Sequence, residues 1–124
     1  MKVTVLSGGV GGARFVQGLV DVVEPSDVTV VGNVGDDLEV LGLHVSPDLD
    51  SILYALAGLN DEQRGWGRAG ETWGALETVR SLGGEAWFQL GDLDLGLHLA
   101  EHRGPQAITW AVDAAESARP QPGV

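Results

Sequence analysis

The sequence predicts an α/β fold, a Rossmann-like parallel sheet with flanking helices. Three observations carry this. A β-prone run with Val3, Val5 and Leu6 leads directly into four glycines in five positions, Gly8, Gly9, Gly11 and Gly12. A helical stretch then starts at Ala13 and is stopped by Pro25. A second β-branched run, residues 28–31, closes the unit within about 30 residues, the size of a strand–helix–strand crossover, which is right-handed.

The glycine run fits a phosphate cradle. Glycine frees the backbone to adopt φ > 0 and lets a ligand approach closely. The first N–H groups of the next helix have no partner within it and favour an anion. The dinucleotide spacing G-x-G-x-x-G fails, because the third small position falls on Arg14. No acid stands at the tip of the second strand, which ends Val30-Val31-Gly32-Asn33, and no Gly-Lys-Ser/Thr follows. A plain turn joining strand to helix is the alternative.

Gly32 to Asp37 leaves the carboxyl end of the second strand, where open parallel sheets bind ligands. Residues 39–45 have short β character, interrupted by Gly42. Ser46 is an N-cap candidate, Pro47 fits the first helical position, and Asp48 and Asp50 suit the helix dipole. Ile52, Leu53, Leu56 and Leu59 form the expected buried stripe, ended by Gly58 and Asn60. Residues 60–70 read as a polar loop carrying Trp66. A helix is expected over 72–82, with Leu76, Val79 and Leu82 on one face and Gly83-Gly84 as its stop. Residues 86–90 read as a short strand, and 93–102 as a helix with Leu93, Leu97 and Ala100 inward. Composition shifts at Gly104, so residues 1–103 form the α/β domain and 104–124 a tail with an amphipathic helix over 106–118.

Bulk properties bound the function. The chain has 124 residues, one small domain, and a formal charge of −11. That balance argues against binding nucleic acid through basic patches. The absence of cysteine excludes disulfides and thiolate chemistry. No run of about 18 apolar residues and no signal peptide is present, so a cytoplasmic protein without a membrane partner is expected. An acidic chain that binds phosphate needs a cation or backbone amides to offset repulsion. Asp36 and Asp37 after the second strand, with Asp48 and Asp50 at a helix start, could supply oxygen ligands for Mg²⁺; capping and solvated turns are the alternative. Asp92 reads as the cap of the helix it precedes.

His98-Leu-Ala-Glu-His102 spells H-x-x-E-H, a zinc-peptidase spelling with no clear third ligand downstream. His44 reads as a strand residue, Trp87 and Phe88 as core, and Trp66 with Trp73 as rings flanking a loop where a planar ligand could stack.

Seven segments in register make a more specific signal. They are Ser7-Gly-Gly-Val-Gly-Gly-Ala-Arg-Phe15, Asn33-Val-Gly-Asp-Asp37, Ser46-Pro-Asp-Leu-Asp50, Leu53-Tyr54, Arg64-Gly-Trp-Gly67, Glu71-Thr-Trp73 and Leu90-Gly-Asp-x-Asp94-x-x-x-His98. Over residues 1–103 the pattern resembles the 2-phospho-L-lactate transferase family (CofD-like). The resemblance implies transfer of a phospholactyl or phosphoenolpyruvyl group to the deazaflavin Fo, in coenzyme F-420 biosynthesis. The implied donor is lactyl- or enolpyruvyl-diphospho-5'-guanosine, and GMP leaves. It implies that Gly8, Gly9, Gly11, Gly12 and Asn33 bind the donor. Asp36 and Asp50 would hold Mg²⁺, with Asp50 also orienting the Fo hydroxyl as the catalytic group. Trp66 and Gln89 would contact Fo. Leu93 stands where the family has an arginine, and family members run well over twice this length. A truncated N-terminal half, completed by a partner chain or a homodimer, is therefore expected.

Overall fold

A computed structural model of the chain describes residues 1–101. The expected tail helix over 106–118, His102 and Trp110 lie outside the described residues.

The unit at the N-terminus is an α/β layer. Strand β1 (Val3–Ser7) pairs in parallel with β2 (Val28–Gly32), in register from Val3↔Val28 to Ser7↔Gly32. Helix α1 (Val10–Val22) crosses between them, and a short 3-10 turn at Pro25–Asp27 leads into β2. Helix α1 begins three residues earlier than the sequence suggests, so Gly11 and Gly12 lie in its first turn. The reason is steric. A Cβ on Gly12 would collide with Ser7 Oγ, so glycine there lets the helix start directly above the end of β1.

Helix α2 (Pro47–Ala57) packs on α1 through Ala13, Ile52 and Ala55, with Val30 and Leu56 against them. Gln17 Nε2 donates to the Ala55 carbonyl at 3.1 Å and ties the two helices. The inward face of α2 is Ile52, Tyr54, Ala55 and Ala57 rather than the leucine stripe alone, since Leu53 is only half-buried. Gly32 again marks a close approach, because a Cβ there would strike Leu49 of α2. Gly58 ends the helix in the left-handed region at φ 72°.

Between them, β3 (Leu38–Val40) and β4 (Leu43–Val45) form an antiparallel hairpin. Its inward residues Val40 and Val45 pack with Leu90 into a second small core, joined by Leu38, Phe88 and Leu95. The two-residue turn places Leu41 at φ 51° and Gly42 at φ 77°. Positive φ at both positions is the mirror-image turn that matches strand twist, and asparagine is favoured at the first of them.

Helices α3 (Gly74–Ser81) and α4 (Asp92–Glu101) cap each other. The Asp92 carboxylate accepts N–H bonds from Gly74 and Ala75 at the start of α3. Glu71, just before α3, accepts from Leu93 and Asp94 N–H at the start of α4. Asp92 therefore caps the neighbouring helix instead of its own. Gly91 is required for this exchange, since a Cβ on it would overlap the Glu71 side chain.

The structure corrects four expectations. Residues 86–90 are not a strand, because the chain folds back there and Leu90 N–H donates to Phe88 O at 2.9 Å. Trp87 is 67% exposed and only Phe88 reaches the core. Leu82 and Leu93 face solvent. The inward face of α4 carries Leu95 and His98, since the Glu71 cap fixes the helix in a rotation that points Leu93 out. Across the sheet, Leu6 and Val31 are exposed, so the outer face of β1–β2 has no cover among the described residues, whereas parallel sheets are ordinarily covered on both faces.

Leu41 bears the cost of a left-handed conformation. Leu41→Asn is expected to raise the unfolding free energy by about 1 kcal/mol, read as a higher urea midpoint at unchanged slope; an unchanged or lower midpoint would contradict the turn assignment.

Candidate functional site

The site is built where the first turn of α1 meets the first turn of α2. Helix α1 has no side-chain cap and no acid in its first turn, with Gly9 as its N-cap. The amides of Val10, Gly11 and Gly12 are thus left to face a ligand. The space above Gly8 and Gly11 is open, with no atom within 4 Å of a Cβ placed there. Gly9 lies closer to its surroundings, with a Cβ position 3.0 Å from Asp48 Oδ1.

The acids divide into two groups. Asn33 Nδ2 donates to Asp48 Oδ2 at 2.9 Å and to Asp36 Oδ2 at 3.3 Å, while its Oδ1 accepts from Gly35 N–H. Asp36 and Asp48 therefore meet beside the glycine turn through one amide. Asp37 turns the other way. Its Oδ2 accepts from the Ser46 hydroxyl at 2.9 Å and contacts His44 Nε2, and its Oδ1 is buried without a partner. The expected pairing of Asp36 with Asp50 is not what the structure groups: Asp36 joins Asp48, and Asp50 joins α4. Asp36 and Asp48 offer paired carboxylate oxygens beside the glycine turn and the orphaned Asp37 Oδ1 is a further oxygen donor; hard oxygen donors are the kind that Mg²⁺ takes.

Asp50 is buried and faces His98, whose side chain is fully enclosed. His98 Nε2 lies 3.7 Å from Asp50 Oδ2 and 3.3 Å from Asp94 Oδ1. Neither contact is aligned as a hydrogen bond. His98 Nδ1 lies 3.4 Å from Glu101 Oε2. Asp94 also accepts the Tyr54 hydroxyl at 2.5 Å. Burial pushes the Asp50 carboxyl up to about 7; the His98 charge opposes this, and Glu101, Asp94 and Asp37 add to it. Burial alone would lower His98, but the contacts with Asp94 and Glu101 and the charge of Asp50 outweigh it and raise the imidazole to about 10. Burial and Asp94 likewise raise the Tyr54 hydroxyl.

Tyr54 joins this cluster to a cavity of about 240 Å³ between α1, α2 and the loop that follows. Arg14, Gln17, Ser51 and Trp66 line it. The loop wall is rigidly built. Asp61 Oδ1 accepts Arg64 N–H at 2.8 Å, the Arg64 side chain donates to the Trp66 and Arg68 carbonyls, and its guanidinium lies 4.2 Å from the centroid of the Trp66 ring. Gly67 at φ 71° leaves room for that guanidinium, which would sit 2.7 Å from a Cβ. Gln89 is exposed and lies outside the cavity lining. Sequence reasoning missed Tyr54, Arg14 and the burial of His98; the i,i+4 spacing of Asp94 and His98 was the available signal.

The site thus combines an α/β scaffold, an uncapped glycine-rich helix start, flanking carboxylates and an adjoining cavity. A family model described as 2-phospho-L-lactate transferase CofD matches residues 3–107. The chain belongs to that family. Similar proteins include the phosphoenolpyruvate transferase of Streptomyces griseus subsp. griseus, 45% identical over 127 residues, covering 100% of this chain and 40% of that protein. The phosphoenolpyruvate transferase of Kitasatospora aureofaciens is 50% identical over 101 residues, covering 80% of this chain and 32% of that protein. That of Thermobifida fusca is 45% identical over 108 residues, covering 80% and 34% respectively. The chain spans about 40% of the length of the first of these relatives.

The buried imidazole fixes a pH dependence. A folded value near 10 against 6.5 for the free group means the stabilisation is complete below about pH 6.5 and is lost as pH rises towards 10. The raised Asp50 acts in the same direction at lower pH, between 3.8 and about 7. Urea midpoints measured with a chelator present are therefore expected to fall from pH 7 to pH 9.5, and His98→Gln is expected to flatten that fall. A midpoint that rises over this range, or an identical slope in His98→Gln, would contradict the charged imidazole.

Proposed function

We propose that the chain supplies the phosphate- and deazaflavin-binding half of a transferase. The reaction moves a phospholactyl or phosphoenolpyruvyl group from lactyl- or enolpyruvyl-diphospho-5'-guanosine to Fo and releases GMP, a step in coenzyme F-420 biosynthesis. Family membership supports the reaction class. The observation that carries the site reading is the open space above Gly8 and Gly11 beside uncapped helix amides, which suits a diphosphate.

In this reading the amides of the α1 start hold donor phosphate oxygens, and Asn33 keeps the neighbouring carboxylates in place. Asp36 and Asp48, joined through Asn33, would hold Mg²⁺. When bound, the cation neutralises phosphate charge, the main requirement of phosphoryl transfer. Trp66 and Tyr54 wall the cavity for the planar Fo ring, with Arg14 at its side. The terminal ribityl hydroxyl oxygen of Fo bonds to the phosphorus that carries the lactyl or enolpyruvyl group. The bond from that phosphorus to the bridging oxygen breaks, and GMP leaves with the electron pair. Asp50, with a carboxyl near 7, accepts the hydroxyl proton.

A second reading rests on the length comparison: a binding module without turnover. The assay mixes the chain with Fo, Mg²⁺ and enolpyruvyl-diphospho-guanosine, and follows GMP together with tryptophan fluorescence, with Trp66→Phe as the control for the cavity ring. The transferase reading predicts GMP release that depends on Fo and falls by about a hundredfold or more in Asp50→Asn. Fo binding without GMP release would support the module and overturn turnover by this chain.

A further inference from the structure

The cavity beside the glycine turn holds one uncommitted cation. Val10, the first residue of α1, lines it, and so does Arg14, one turn further along the same helix. Most other polar side chains of the wall already have partners. Gln17 donates to the Ala55 carbonyl, the Ser51 hydroxyl to the Pro47 carbonyl, and the Tyr54 hydroxyl to Asp94. Asp61 is held by Arg64. Arg14 makes no ion pair or hydrogen bond among the described residues. Its side chain reaches from α1 to the facing loop, where a Cβ on Gly65 would lie 3.8 Å from Nη2. The exposed Glu62 also lines the cavity, so an entering anion meets one repelling group, and Arg14 is the lining residue that offsets it.

We propose that Arg14 recognises the carboxylate of the three-carbon acid carried by the donor. The inference rests on the transferase reading and names the part of the donor that the cavity selects. In a lactyl or an enolpyruvyl donor the carboxylate sits on the carbon bonded to the phosphate oxygen. Phosphate oxygens at the start of α1 therefore bring the carboxylate beside Val10, at the cavity that Arg14 lines. A guanidinium is a planar fork that pairs with a carboxylate through two parallel N–H bonds. The contact is the same for both acids, so Arg14 selects a carboxylate-bearing donor without separating lactyl from enolpyruvyl. The carboxylate takes no part in the bond changes, so the contact is made equally before and during transfer, and its loss appears in binding.

The test titrates phosphoenolpyruvate and methyl phosphate separately into the full chain in Mg²⁺ buffer, followed by ¹⁵N–¹H spectra that include the arginine Nε–H region. Phosphoenolpyruvate is expected to bind about tenfold or more tighter than methyl phosphate. In the unaltered chain it is expected to move the Arg14 Nε–H resonance, which methyl phosphate leaves in place. Arg14→Gln is expected to bring the two probes within about threefold of each other with methyl phosphate binding unchanged, and Arg14→Lys to recover only part of the preference because it lacks the fork. Arg80→Gln removes the same charge from α3, outside the cavity lining, and is expected to keep the preference. Equal binding of the two probes, no binding of phosphoenolpyruvate, a fixed Arg14 resonance, or a preference that survives Arg14→Gln or disappears in Arg80→Gln would overturn the proposal. GMP release is read in the separate assay above. A carboxylate preference without GMP release overturns turnover and leaves the role of Arg14, whereas GMP release without the preference overturns that role alone.

Discussion

The fold depends on one close approach. Helix α1 can begin directly over the end of β1 because Gly12 has no side chain to meet Ser7. That contact places the uncapped amides of α1 at the carboxyl end of the parallel strands. Gly32 repeats the device one strand over, where Leu49 of α2 occupies the space a Cβ would need. Two missing side chains thus bring two helix starts together. Neither site glycine is explained by flexibility; each is explained by what lies against it.

From that junction the charge distribution follows. A chain of net charge −11 places Asp48 within reach of Gly9 and joins it to Asp36 through Asn33. Carboxylates this close to the uncapped amides would repel a phosphate unless a cation intervened, so the proposed anion role of the glycine turn requires the acids to carry a cation. Behind them a second group of acids surrounds His98. Its imidazole offsets three carboxylates in a buried place where uncompensated charge is costly. Tyr54 connects this inner cluster to the cavity, donating to Asp94 of α4 while lining the cavity wall.

Much of the fold was legible because its signals are local. The β1 run, the glycines, Pro25 and the β-branched β2 fix the first unit within a short window, and Pro47 with Gly58 marks both ends of α2, whereas the Ser46 hydroxyl at the N-cap position donates to Asp37 and does not cap the helix. Residues 39–45 showed only short β character broken at Gly42, and the structure makes that break the turn of an antiparallel hairpin. What could not be read depends on contacts distant in sequence. Leucines occur on several faces of α4, at 93, 95, 97 and 99, so periodicity alone could not say that His98 points inward. Its rotation is set by Glu71, more than 20 residues earlier. The same holds for the acids. Asp36 and Asp37 are adjacent in a turn that the Asp37 N–H closes on the Val34 carbonyl at 3.2 Å, and which way each side chain leaves such a turn depends on its dihedrals and its distant partners. The sequence offered both; the structure turns Asp36 to Asn33 and Asp37 to Ser46.

The central claim is that peptide amides at the start of α1 grip a diphosphate. The most direct measurement is a ¹⁵N–¹H spectrum of the chain titrated with pyrophosphate in Mg²⁺ buffer. The account predicts saturable shifts concentrated at Gly8, Gly9, Gly11 and Gly12, with Asn33 following. Shifts confined to other segments, or none at saturating pyrophosphate, would contradict it.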